Sequence, residues 1–343
     1  MRHVIGFLAI VFAGLIGAQF LKNSRDTSRD ARPVVRVFGP SSFVSQWGPG
    51  PWLKTQFEKT CDCRVEFVDG ADSTILFQRV KSEARSGTDV VVGIDQYDLE
   101  TASSSFEWRD LSKTGFVFDP AVQNALGHSK FIPYDWAPLA FVLRRSDHPQ
   151  LPTKLDDLLA PTWAGQISME DPRTSSPGLQ FLLWLIHVKG EEPAFEYLKK
   201  FNKNVKSYAA SWSMAYGLFT KRQVKAAFSY VTSPIFHVVE EKDTDVVAVE
   251  FQEGHFVQYE YVGVPTQCRQ CELAEKFVAL LLSPEGQKIV MEKNYMFPVI
   301  QGVKEGTPFV NVPPLRTVEP VNLPSLADRE RILKKWSALR RME

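Results

Sequence analysis

The chain has 343 residues, of which 44% are hydrophobic and 23% charged, ordinary for a globular protein and sufficient for one large α/β unit or two lobes with separate cores. Its 40 Lys and Arg balance its 40 Asp and Glu, which excludes the basic surplus that binding to nucleic acid or to anionic membrane surfaces usually needs. In chain order, Arg2 and His3 precede an uncharged apolar run from Val4 to Leu21, and a polar stretch from Lys22 to Asp30 follows. A charged start and a long apolar run mark an export segment. A cut after Ala18 would put Ile16 where the small-x-small rule wants a small residue, and the run approaches the roughly 20 residues of a spanning helix. Residues 1–21 are therefore read as a signal peptide or an N-terminal membrane anchor, and 22–32 as a linker. The folded part begins near Pro33, outside the cytoplasm.

From there the pattern alternates strand and helix. Val34 to Phe38 reads as a strand, Pro51 to Lys59 as a helix, and Arg64 to Val68 as a strand ending in Asp69-Gly70. A helix through Ile75, Leu76 and Val80 and a short buried strand from Asp89 to Gly93 complete an α/β lobe with a mainly parallel sheet. Ligands of such sheets lie at the carboxyl ends of the strands, where Ser41-Ser42, Asp69-Gly70 and Asp95 fall. Phe131 to Val142 reads as a strand crossing into a second lobe.

That lobe holds the most informative stretch, Asp171-Pro-Arg-Thr-Ser-Ser-Pro-Gly178, ahead of the apolar run Leu179 to Val188. Pro177 after two serines is a helix start: a hydroxyl at the N-cap and a proline where no backbone N–H is needed. Free N–H groups and a partial positive charge there suit an anion or a polar ligand head, although the same serines also cap ordinary helices. Tyr230-Val-Thr-Ser-Pro234 repeats the pattern. A helix from Glu192 to Phe201 and a loop at Trp212 lie between the two. Val246 to Phe251 and Phe256 to Val264 read as returning strands, Leu273 to Leu282 as an apolar helix, and Ser283-Pro284 as another helix start. A proline-rich tail from Pro313 to Pro324 leads to a charged helix from Leu326 to Arg341.

The four cysteines form two close pairs, Cys61 with Cys63 and Cys268 with Cys271. They fit an oxidising compartment. Disulfides or free thiols are favoured over zinc, because one pair is Cys-x-Cys and no spacing rule joins the pairs. The pairing itself stays open, and His237 and His255 lack metal-like spacing with other ligands.

Several blocks resemble the periplasmic thiamine-binding proteins, the solute-binding components of bacterial ABC importers for thiamine and its phosphates. They are Trp47 to Pro51, Cys61-Asp62-Cys63, Asp89 to Val91, Asp171 to Leu179, Trp212 with Ala215 to Phe219, Ser229 to Pro234, and Glu253 to His255. The resemblance implies a type II periplasmic-binding-protein fold, two α/β lobes joined by crossing strands with a ligand cleft between them. Lobe 1 is expected over 33–136 and 263–343, and lobe 2 over 137–262. It also implies ligand contacts at Asp69, Gly70, Ser175, Ser176, Trp212, Tyr230, Val231, Thr232 and Ser233, and a periplasmic location, anchored at most by residues 4–21. Phe38-Gly-Pro-Ser-Ser-Phe43 departs from a family tendency to Tyr-Thr-Tyr-Asp-Ser-Phe, which removes an aromatic wall and an anionic group. The implied ligand is thiamine, thiamine monophosphate or thiamine diphosphate, with no cofactor and no metal. The implied partner is an inner-membrane ABC permease with its ATPase.

Thiamine is a permanent cation with a flat aminopyrimidine ring and a hydroxyethyl tail. Trp212 and Tyr230 can offer π faces to the cation, and Asp69 can accept from the amine, although Asp-Gly also makes a plain turn after a strand. Ser175, Ser176, Thr232 and Ser233 can donate to the tail. Tyr216 reads as core, and Trp47 and Trp136 as cleft or core. Other organic cations are alternative ligands, whereas ferric iron would want a tyrosine pair that Tyr230 lacks. An enzyme that degrades thiamine would need a cysteine nucleophile, and none of the four falls in an expected ligand loop.

Overall fold

The computed structural model describes residues 31–83, 87–112, 115–319 and 323–341. The export segment and most of the linker, residues 1–30, lie outside the described residues. Among the described residues no helix is long and apolar enough to cross a membrane.

The strands in chain order are β1 Val34–Gly39, β2 Arg64–Asp69, β3 Val90–Asp95, β4 Ile132–Arg144, β5 Ile167–Glu170, β6 Val205–Ala209, β7 Ala226–Tyr230, β8 Val246–Ala248, β9 Val257–Gly263 and β10 Phe297–Pro298. They form one curled sheet in the order β2-β1-β3-β9-β4-β7-β5-β6, with β8 and β10 each pairing with β4 off this path. β1 pairs parallel with β2 and β3, and β5 pairs parallel with β6 and β7. β9 enters the first group antiparallel to β3, which a strand from late in the chain can do without a crossover helix.

β4 belongs to both lobes. Its first half, Ile132 to Pro138, pairs with β9, and its second half, Leu139 to Leu143, pairs with β7. The core divides at the same place. Val35, Val37, Val90, Val91 and Phe57 pack with Phe277 on one side, while Phe141, Phe181, Phe228, Phe251 and Trp184 pack on the other. In the second core Phe141 meets Phe181, Phe228 and Phe251 at centroid distances of 5.7, 5.0 and 5.9 Å, close enough for edge-on aromatic packing.

Several expectations need correcting. The C-terminal helix, Leu326–Arg341, does not join lobe 1: Ile332, Trp336 and Leu339, spaced to share one helix face, are buried in the second core. β9 lies in the first sheet, so lobe 2 gives way to lobe 1 before residue 257 rather than at 263. Trp212 opens a helix, Trp212–Thr220, instead of sitting in a loop. Ser233 is already helical at φ −56°, ψ −34°, and the turn that it starts is α-helical only over Pro234–Phe236. Lacking an extended cap residue and a long apolar run, it is not a second version of the Ser176 start. The cysteine pairing, which the sequence leaves open, is settled rather than corrected: disulfides form within each close couple, Cys61 with Cys63 and Cys268 with Cys271.

His255 fastens β4 to the turn before β9. Its Nε2 accepts from the Phe251 N–H at 2.9 Å, so its Nδ1 carries the proton donated to the Leu139 carbonyl at 2.8 Å and the ring is neutral. Burial pushes its pKa down to about 4. An unfolded histidine titrates near about 6.5, so below that pH the unfolded chain binds the extra proton and stability falls as pH falls. His255→Gln, which keeps one donor and one acceptor, is expected to be the less stable protein near neutral pH. The gap in urea midpoint should narrow toward about pH 4.5, and a constant gap would reject this account.

Candidate functional site

Parallel pairing decides where the site lies. β1, β2 and β3 end together at Gly39, Asp69 and Asp95, and β5, β6 and β7 end together at Glu170, Ala209 and Tyr230. The segments leaving these ends meet across a cleft that carries a cavity of about 620 Å³, a normal size for a small-molecule site. Lobe 1 lines it with Gln46, Trp47, Trp52, Lys293, Asn294 and Tyr295, and lobe 2 with Trp212, Tyr216, Tyr230, Ser233, Phe236 and Glu240 among others. A recess adjoins it, sharing Trp212, Tyr230 and Asn294 and adding Ser42, Asp72 and Glu260.

The aromatic wall is held by hydrogen bonds at its edges. Trp212 occupies the first turn of its helix, and its Nε1–H donates to Ser229 Oγ at 2.9 Å. Ser229 Oγ in turn lies 2.7 Å from Ser233 Oγ. Tyr216, one turn on, stacks against the Trp212 indole at 5.0 Å and 15°, and its hydroxyl meets His237 Nε2 at 2.9 Å. Tyr230 lies 6.1 Å from Trp212 at 48°. With their polar edges engaged, the Trp212 and Tyr216 rings are fixed in orientation and, with Tyr230 beside them, can offer π surface to a ligand.

Carboxyl groups surround this wall. Burial raises the Tyr230 pKa well above its usual value, and the charges of Glu260, Asp72, Glu170 and Asp135 push it the same way. Glu260 accepts from the Tyr134 hydroxyl at 2.8 Å and from Gln258 Nε2 at 3.3 Å. Burial raises its pKa, and burial together with the charge of Glu260 raises that of Asp135 well above the carboxylate range. Glu170 is likewise pushed well up by burial, and among the described residues its carboxyl oxygens find no hydrogen-bond partner beyond its own backbone. Several carboxyls that resist ionisation beside aromatic faces make a site that gains from receiving a positive charge.

Of the residues expected at the site, Trp212, Tyr230 and Ser233 are brought together around the cavity. The other six do not line it. Asp69 Oδ1 accepts from Ser41 Oγ and the Ala71 N–H, both at 2.8 Å, clamping the β1 and β2 loops together. A Cβ on Gly70 would come within 2.4 Å of Leu76 Cδ1, so the Leu76 side chain would have to shift to admit a larger residue there. Val231 is buried, with its N–H on the Pro138 carbonyl. Ser176 hydrogen-bonds the buried Asp95 carboxyl. Ser175 Oγ and Thr232 Oγ1 are buried with no hydrogen-bond partner among the described residues. In the departing segment, the Pro40 ring fits against Gly93, whose φ of +81° and missing Cβ make the room.

Sequence reasoning missed Glu260, Asp72, Trp52, Lys293, Asn294 and Tyr295. Only the aromatics carried a signal; the others come from elements far apart in the chain. Both disulfides lie at the edge opposite the cleft. Cys61–Cys63 precedes β2, and the Cys268–Cys271 loop is tied by the Arg269 and Gln270 N–H groups to Asp89, just ahead of β3. Among the described residues no group of three or more His, Cys, Asp and Glu could hold a metal ion.

Two lobes sharing a crossing strand, with a ring-lined cavity where their strand ends meet, have the architecture of a solute-binding protein. Comparison with known proteins agrees: a family model described as bacterial extracellular solute-binding protein matches residues 109–319, and the chain belongs to that family. Its relatives include the thiamine-binding periplasmic proteins of Salmonella typhimurium, 37% identical over 78% of this chain and 82% of that protein, and of Haemophilus influenzae, 33% identical over 79% and 81%. A solved periplasmic thiamin-binding protein superposes with a TM-score of 0.79 at 31% identity, covering 90% of this chain and 96% of that one. Iron-bound HitA from Pseudomonas aeruginosa, at 20% identity, a TM-score of 0.66 and coverage of 90% and 98%, shares the fold alone. That fold is the type II periplasmic-binding-protein fold.

A cation seated beside Glu260 favours its carboxylate and lowers the raised pKa, so binding releases protons and affinity rises with pH through the Glu260 titration. Calorimetry with a cationic ligand in buffers of different ionisation heat should show that release under mildly acidic conditions. Glu260→Gln should lose about tenfold or more in affinity together with most of the pH dependence. An unchanged pH profile would remove Glu260 from the site.

Proposed function

We propose that this chain captures thiamine and its phosphates in the interlobe cavity, in the periplasm, and delivers them to an inner-membrane ABC permease driven by its ATPase. The observation that carries this reading is the pairing of an aromatic wall, Trp212, Tyr216 and Tyr230, with the carboxyls of Glu260 and Asp72. Thiamine needs both: π faces for a permanent cation, worth about 0.5–2 kcal/mol each, and acceptors for the amine and the charge. The names of the relatives support the same ligand. Lobe closure would shed water from the ligand and create the surface that a permease recognises.

The reading is of binding without catalysis. A covalent route through cysteine would need a thiol at the cavity, whereas all the cysteines are disulfide-bonded and lie on the opposite edge. Trp212→Ala should weaken thiamine binding by well over about tenfold in titration calorimetry, since it removes the ring against which Tyr216 and Tyr230 pack. Affinity unchanged in that variant would disprove the pocket. Tighter binding of another organic cation in competition would replace thiamine as the ligand, and turnover with a nucleophilic base would replace binding as the function.

A further inference from the structure

The cavity is electrically lopsided. Its recess holds Glu260 and Asp72, whereas the main chamber is lined by Lys293. Lys293 stands in the last turn of the helix Pro284–Asn294, where the carbonyl end of the helix favours a cation. Its Nζ sits 4.8 Å from the centre of the Trp52 ring, and Trp52 is half-exposed at the rim. No carboxylate among the described residues comes within 4.0 Å of it. The acidic group of the same chamber, Glu240, takes the Tyr295 hydroxyl at 2.9 Å. An ammonium that faces a ring and a helix end, rather than a carboxylate, keeps its N–H donors available to an incoming anion.

We infer that Lys293 reads the phosphate of an esterified ligand: the organic cation lies toward Glu260 and Asp72, the rings lie against Trp212 and Tyr230, and the anionic tail reaches Lys293. The class of ligand is thus a flat organic cation with an anionic ester at its far end. The inference rests on the proposed function and refines it, since it separates esters from the free alcohol. It also places the tail at the rim rather than at Ser175 and Ser176, which do not line the cavity.

The test is titration calorimetry of thiamine, thiamine monophosphate and thiamine diphosphate against wild type, Lys293→Met, Lys293→Arg and Ser175→Ala, at low and at moderate ionic strength. Lys293→Met should weaken both esters by about tenfold or more, because a charge-assisted hydrogen bond is lost. It should weaken thiamine far less than the esters, and Lys293→Arg should restore the esters. In wild type, added salt should cost the esters more than thiamine. An equal loss for all three ligands would overturn the inference, because it would mean that Lys293 acts in packing or in closure against Glu240. An ester-specific loss confined to Ser175→Ala would overturn it by placing the tail at the helix start, and unchanged ester binding in Lys293→Met would do the same. If wild type binds none of the three, the functional reading itself fails.

Discussion

The molecule depends on one strand having two sets of neighbours. β4 gives its first half to β9 and its second half to β7, so a single run of backbone is the seam of both sheets. Because the parallel strands of each lobe then point their carboxyl ends at that seam, the loops that follow them must face one another. The cleft is a consequence of this arrangement and of the short segments after Gly39, Asp69, Glu170 and Tyr230. Within the seam, His255 ties β4 to the turn before β9, and Gln258 passes hydrogen bonds between Gln180 of lobe 2 and Glu260 at the recess. The site carboxyl is therefore built into the joint between the lobes.

The same burial that makes the joint stable makes its carboxyls reluctant to ionise. Glu260, Asp135 and Glu170 are all raised by burial first, and a protein with that many suppressed charges near one phenol has a standing preference for a cation. Aromatic rings with their edges tied down add to that preference without paying ordering entropy when the ligand arrives. The cysteines belong to a different task. They close short loops on the edge away from the cleft, where they secure the helix entering β2 and the start of the helix Cys271–Leu282.

Much of the fold was legible in the chain. The first strands and helices fall within a residue or two of where their patterns place them, because period-2 and period-3.6 alternation is strong in a half-buried sheet and its covering helices. β5 and β6 escaped, being short and mixed in polarity, with Ser168 and Glu170 buried despite their polar side chains. The C-terminal helix was recognised but assigned to the wrong lobe, since an apolar face shows that a helix packs and not what it packs against. The site was legible where it is local, as in Trp212 and the Tyr230 to Ser233 segment. Asp69 and Gly70 drew attention for a motif that the structure explains by a loop clamp and by close packing.

The sequence by itself determined the class of the molecule. Element order and family motifs are recorded in neighbouring residues, which chain chemistry alone reads out. Only the tertiary structure decided which carboxylates and which lysine share a cavity with the aromatics. Asp72, Glu260 and Lys293 stand on a loop, a strand and a helix widely separated in sequence, and each looks like an ordinary surface charge in its own segment. Their juxtaposition is created by the pairing of β9 with β3 and β4, which brings the end of the chain back beside its beginning.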